Sequence, residues 1–287
     1  MTRRCRQILI VLFVLFGGWL GGAGSHAQSE AVRSVYDAAI ADPDDETAFG
    51  RLKSVLPHDA ANTFWVVEGD IRLTERELRR YVASLSLTPQ PVQPGRELLL
   101  SIWNNKRDYW SERAARRLTY AVDKASFANE EEYETVVKNV ARAGSEWSRV
   151  CDACGVTFEH LSQFDGRSSL SDVVFVIKRN AMPSGYVALA FFPHEAQARR
   201  YLYVDPTYFT TTFDRVGVFR HELGHILGYR HEHIVGVPGC SLEEGNWKPL
   251  TKYDPHSVMH YFCGDRGTLA LALTDVDKQG HRSLYGQ

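Results

Sequence analysis

Residues His221 to His231 read H-E-L-G-H-I-L-G-Y-R-H, the pattern H-E-x-x-H-x-x-G-x-x-H. On a helix His221 and His225 lie four residues apart, so both rings project from one face and can share a metal ion. Glu222 turns toward the same cleft without being needed as a ligand, which suits it to act as general base toward a metal-activated water. His231 comes six residues after His225, where an unbroken helix would carry it away. Gly228 supplies the break, because glycine takes backbone angles that strain other residues. Three imidazoles with one position left open is the ligand set of a catalytic zinc, whereas structural zinc usually takes four protein ligands. With 22 Gly and 11 His in 287 residues, chance supplies both extra residues about once in 340 trials, so the extended pattern is far more specific than a bare H-E-x-x-H.

Downstream lies Ser257-Val258-Met259-His260-Tyr261, which resembles the Met-turn that metalloproteases with the extended histidine motif carry beneath the metal. Met259 is read as an apolar base under the histidine rings, and Tyr261 as a phenol able to reach the metal or a developing oxyanion. His233, His256 and His260 are read as polar neighbours rather than ligands.

On these residues the chain resembles the metzincin zinc metalloproteases, most closely the astacin group. The resemblance rests on H-E-L-G-H-I-L-G-Y-R-H-E-H, on S-V-M-H-Y and on the ending Leu273 to Gly286, and covers roughly the last 170–180 residues. It implies a zinc endopeptidase with one catalytic Zn2+ held by His221, His225 and His231. Glu222 matches the catalytic base, Met259 the Met-turn and Tyr261 the tyrosine that moves between zinc and transition state. Glu232 matches a residue tied to the mature N-terminus. The chain departs from astacins after His233, where it reads I-V-G-V-P-G-C, and Gly185–Phe192 is closer to the edge strand of matrixins. The expected fold is α+β, a zincin-like domain with a mixed twisted sheet, an active-site helix and an irregular C-terminal subdomain.

The elements that must position this site can be read around it. Strands are expected at Leu118–Asp123, Val156–Leu161, Asp172–Lys178, Gly185–Phe192 and Tyr201–Asp205, with a long amphipathic helix over Glu130–Arg149. The active-site helix is expected over about Thr212–Gly228. Gly185–Phe192 is the strand expected at the cleft edge, where an extended substrate could pair by backbone hydrogen bonds. Residues 108–287 thus form the catalytic domain. Before it, residues 30–56 read as two short helices around Asp42–Asp45, Phe64–Leu73 as a strand, and Thr74 with Glu77 as a capping box opening a helix. Thr88–Gly95, with three prolines, reads as a linker.

Residues 28–107 are expected to be a propeptide-like region, the alternative being a small accessory helical domain. Val67-Glu68-Gly69-Asp70-Ile71 resembles the F-x-G-D segment of astacin propeptides, with Val67 in place of Phe, so the resemblance makes Asp70 the latency ligand at the fourth zinc position. Lys106-Arg107 and Arg116-Arg117 are candidate activation cuts.

Residues 1–27 have the form of an export signal: Arg3, Arg4 and Arg6, then the apolar run Ile8–Phe16, then Ser25-His26-Ala27 with cleavage expected after Ala27. The run is short for a membrane span, so no stable membrane insertion is expected after cleavage. The mature chain carries 30 basic and 35 acidic residues, net −5, which gives no basis for a nucleic-acid partner. A secreted or periplasmic monomer acting on protein or peptide substrates is expected.

Four cysteines remain after cleavage, Cys151, Cys154, Cys240 and Cys263, and three pairings are possible. Cys240–Cys263 with Cys151–Cys154 is preferred, since the first would tie the loop after His231 to the segment after the Met-turn and stabilise by roughly 3–4 kcal/mol. Two other functions fit the motif less well: a catalytically inert zinc-binding or adhesion module, and a zinc hydrolase of cell-wall peptides. The intact Glu222 argues against the first.

Overall fold

The computed structural model describes residues 34–56, 58–59, 64–67, 71–86, 98–182, 186–235, 247–260 and 266–287. The architecture is α+β. Helices α1 (34–41) and α2 (Glu46–Val55) flank Asp42–Asp45 as expected, and Asp45 caps α2 by accepting from the backbone of Thr47 and Ala48. The strand expected over Phe64–Leu73 is instead a hairpin: β2 (Phe64–Val67) and β3 (Ile71–Thr74) pair antiparallel, with β1 (His58–Asp59) on the far side of β2. Phe64–Val67 is aromatic and β-branched and Ile71–Thr74 carries two β-branched residues, so both mark strand, and Glu68-Gly69-Asp70 between them is the compositional break at the reversal. Thr74 and Glu77 exchange the capping-box bonds that open α3 (Glu75–Ser86). Phe49, Leu52, Leu73, Leu78 and Val82 make a small core of this N-terminal unit, and Phe192 from further along the chain completes it.

The larger part is built on a five-stranded mixed sheet of order β7-β6-β8-β10-β9: β6 (Arg117–Val122), β7 (Thr157–His160), β8 (Phe175–Arg179), β9 (Ala188–Leu189) and β10 (Tyr201–Val204). All neighbours are parallel except β9, which runs antiparallel to β10. Period-two alternation sorts the side chains: Phe175 and Ile177 face the main core, Val176 a smaller cluster behind the sheet. Helices α4 (Glu130–Ser148) and α5 (Arg215–Ile226) pack into the main core through Val136, Val140, Trp147, Phe219 and Leu223. Each such fully buried side chain contributes about 1.5–3 kcal/mol.

A second sheet sits beside the site. Strand β4 (Leu99–Trp103) pairs with β5 (Lys106–Arg107), β11 (Tyr229–Arg230) and β12 (Trp247–Pro249). The β4–β5 turn runs through Asn104 and Asn105, both at positive φ, as a tight hairpin requires. The boundary read at residue 107 therefore divides elements that pair: Leu98 and Leu100 lie in the main core. Arg116 is buried and donates to the carbonyls of Trp110, Ser111, Cys154 and Tyr285, so Arg116-Arg117 is not open to a protease in this fold. Helix α6 (Asp275–Tyr285) closes the chain behind a capping box of Thr274 and Asp277. Among the described residues no helix is long and apolar enough to cross a membrane.

Candidate metal centre

Helix α5 is buried from Val216 to Ile226. Asp214 caps it, accepting from Gly217 N at 2.6 Å. Arg220 anchors it by pairing with Glu146 of α4 at 2.5 Å and donating to the carbonyls of Ala270 and Leu271. The helix thus spans three residues less at its start than expected and stops two short of Gly228, with its ends set by Asp214 and the turn below.

Leu227 and Gly228 close the last turn through bonds to Leu223 O and His225 O. Gly228 has φ +98°, and a Cβ there would stand 2.1 Å from Asp108 O. Only glycine satisfies both conditions. Past it the chain runs back as β11, held to β4 by Ser101 N–H donating to Gly228 O at 2.8 Å. That reversal carries His231 back to the face of α5 that holds His221 and His225.

The three rings are 4%, 1% and 0% exposed in the order His221, His225, His231. Their Nε2 atoms form a nearly equilateral triangle with sides of 3.1, 3.1 and 3.2 Å. His221 Nδ1 lies 2.7 Å from Val258 O and His225 Nδ1 lies 2.8 Å from Tyr229 O. A carbonyl only accepts, so each of these Nδ1 atoms carries the hydrogen, the tautomer that directs an Nε2 lone pair inward for a metal. In that tautomer the 3.2 Å contact between His221 and His225 has no hydrogen to share. Two lone pairs face each other across it, an arrangement that a cation between them relieves. Zinc–nitrogen bonds of about 2.0–2.1 Å in a tetrahedron separate nitrogens by about 3.3–3.4 Å, close to the observed sides. The residues fit: His221, His225 and His231 form a group that could hold a metal ion, and they are the one such group found among the described residues.

Around this triangle the expected neighbours fall unevenly. Met259 is fully buried and lies directly under α5, where a Cβ on Gly224 would meet its sulfur at 2.4 Å. The tight turn that carries it is closed by His260 N–H to Ser257 O, and Met259 O accepts from Glu232 N at 3.0 Å. Glu222 is 4% exposed, one residue from His221. Glu232 Oε2 accepts from Asp254 N at 2.8 Å. His233 stacks on His231 with centroids 5.1 Å apart, His260 Nε2 meets Tyr253 Oη at 2.8 Å, and His256 is exposed; none joins the ligand triangle. Cys151 and Cys154 are disulfide-bonded, as preferred. Asp70, Tyr261, Cys240 and Cys263 lie outside the described residues, as do the export signal and the linker Thr88–Gly95.

Three neighbours went unread in the sequence. Phe192 sets its ring edge-on to His225 at 5.5 Å. His194 Nδ1 donates to Asp108 Oδ2 at 2.5 Å and is stacked by Trp103 at 3.9 Å, next to the Gly228 turn. Tyr229 both supplies the carbonyl for His225 and is wholly buried. The run Phe191-Phe192-Pro193-His194, aromatic residues ending in a proline and a histidine, was the available signal for the first two. No protein-family model matches the chain, and no curated protein matches it in sequence.

Proposed function

We propose that the protein is a zinc-dependent endopeptidase of the metzincin type, exported and made with an N-terminal unit that keeps it latent. The observation that carries this reading is the triangle of three buried Nε2 atoms at 3.1–3.2 Å, two of them fixed as inward lone pairs by backbone carbonyls. His221, His225 and His231 hold the ion and leave a coordination position for chemistry. Zinc, when bound, supplies the Lewis acidity that makes water nucleophilic near neutral pH and polarises a carbonyl. Glu222 takes the proton of the attacking water on its carboxylate and returns it to the leaving amine nitrogen. Tyr261 offers its phenol to the oxyanion, and Met259 excludes water beneath the rings.

An extended peptide suits the neighbouring sheet. Strand β9 ends the five-stranded order, so its outer backbone edge can pair with substrate. The N-terminal unit lies against this region: Val66 of β2 packs on Leu189 of β9 and Tyr203 of β10. Phe192 belongs to the unit's core while touching His225, and Arg199 bridges Glu195 and Glu77 of α3. These contacts support latency by cover, and Asp70 is the residue proposed to complete it at the metal. The Cys151–Cys154 bridge suits an oxidising, extracytoplasmic compartment.

The test is digestion of a denatured protein such as casein, with and without a zinc chelator, before and after limited trypsin treatment. Chelator-sensitive cleavage that rises after trypsin is the expected result. Cleavage indifferent to chelator overturns the zinc reading, and equal activity before and after trypsin overturns latency.

A further inference from the structure

Helix α6 carries no metal ligand, yet Asp277, His281 and Tyr285 are each 0% exposed. They stand four residues apart and so share one face. All three turn their polar ends to the segment that builds the metal centre. Asp277 accepts from Ser257 Oγ at 2.6 Å and from Val258 N at 3.0 Å, and Val258 is the residue whose carbonyl takes the His221 Nδ1 hydrogen. His281 Nδ1 lies 2.8 Å from Tyr229 Oη, and Tyr229 supplies the carbonyl for His225. Tyr285 Oη donates to Leu227 O at 2.7 Å, at the end of α5 just before the Gly228 turn.

We infer that α6 is the orienting element of the metal centre, and that His281 is a positioning residue which, through Tyr229, holds His225 with its Nε2 toward the metal. This rests on the three histidines being a metal site. Packing alone gives no reason for an imidazole at position 281. Trp147 and Tyr285 crowd the ring at 5.2 and 5.1 Å, as they would a hydrocarbon, and His281 Nε2 is buried with no hydrogen-bond partner. Leaving half of a polar ring unsatisfied is unfavourable unless the other half is used. Its use is the Tyr229 bond, and that bond has one polarity. Burial first, then the charges of Arg282 and Arg116, push the His281 pKa down to about 3, so the ring is neutral. The Tyr229 hydroxyl, 2.8 Å from the unprotonated Nδ1, is then the donor of this bond. Trp147 stacks on Tyr229 at 5.5 Å and donates to Arg220 O, which keeps the tyrosine in register with α5.

The experiment titrates the full-length protein with zinc against a chromophoric chelator, reads the visible spectrum of its cobalt(II) form, and follows thermal unfolding. His281→Leu and Tyr229→Phe are expected to weaken zinc binding by about ten- to a hundred-fold and to shift the cobalt bands. His281→Asn, whose Oδ1 can replace Nδ1 as acceptor, is expected to bind closer to the parent than to His281→Leu. The double variant should weaken no further than the worse single one, because both remove the same link. Parental affinity and spectrum in folded His281→Leu or in Tyr229→Phe overturns the inference, as does equal weakening by His281→Asn and His281→Leu. If His281→Leu does not fold, Tyr229→Phe and His281→Asn decide on the same criteria. A parent protein that binds neither zinc nor cobalt removes the metal site itself, a different outcome from variants that bind as the parent does.

Discussion

Replacing Gly228 by alanine tests how the third histidine is brought back to the helix. At φ +98° a side chain is strained by roughly 1–3 kcal/mol. The added Cβ also meets Asp108 O at 2.1 Å, and that atom is backbone, so no side chain can swing aside. Asp108 is itself tied down: its amide donates to Ser101 O and its carboxylate meets His194. Forcing this contact apart adds roughly 1–3 kcal/mol, for a total of about 4 kcal/mol. At roughly 2–4 °C per kcal/mol, the melting temperature should fall by about 10 °C. The shift also breaks the Ser101–Gly228 bond that starts the β4–β11 pairing, so zinc affinity should fall with it. Gly224→Ala is the internal control. Its Cβ meets Met259 Sδ at 2.4 Å, the end of a flexible side chain, and alanine gains up to about 1 kcal/mol of helix propensity. Its net change should stay within about 1 kcal/mol. Thermal unfolding by circular dichroism, with and without zinc, reads both variants. Gly228→Ala melting within about 2 °C of the parent would refute the reasoning.

Further expectations follow from the same contacts. Folded His281 titrates at about 3 rather than 6.5, so the unfolded chain takes up that proton first and stability is lost as pH falls through this window. Asp277, raised by burial, acts in the opposite sense as pH falls. Comparing metal-free parent with His281→Asn cancels Asp277, and the difference in unfolding free energy should shrink by about 1.4 kcal/mol per pH unit between about pH 6 and 4; a flat difference contradicts it. A chain beginning at Asp108 lacks β4, the partner of β11 and β12, and should bind no zinc, whereas one beginning at Leu98 should bind it; equilibrium dialysis compares the two. Arg199→Ala leaves buried Glu77 without its cation and should loosen the N-terminal unit by about 1–3 kcal/mol, read as roughly tenfold faster trypsin separation of the two parts. Unchanged digestion kinetics would remove the ion pair from the account of latency.

The site was legible to the extent that its chemistry is local in sequence. Ligand spacing and the break at Gly228 are set by residues within a turn or two of one another, and four strands of the main sheet lie close to their expected spans, while the one expected over Gly185–Phe192 shortens to Ala188–Leu189. What sequence hid is non-local. Nothing in Leu98–Trp103, a plain apolar run, says that it pairs with β11, far along the chain. The hairpin within Phe64–Thr74 was missed although Glu68-Gly69-Asp70, poor strand formers, interrupt the strand composition there. His281 went unread because a lone histidine in a C-terminal helix has no local partner; the spacing Asp277, His281, Tyr285 was the one trace of it.

The central claim is that the three histidines hold a zinc used by Glu222. It is tested most directly by hydrolysis of a fluorogenic peptide by zinc-loaded, trypsin-treated protein beside zinc-loaded Glu222→Ala. The account predicts one bound zinc in both, with turnover lowered about a hundredfold or more in the variant. A variant that cleaves as fast as the parent would contradict it.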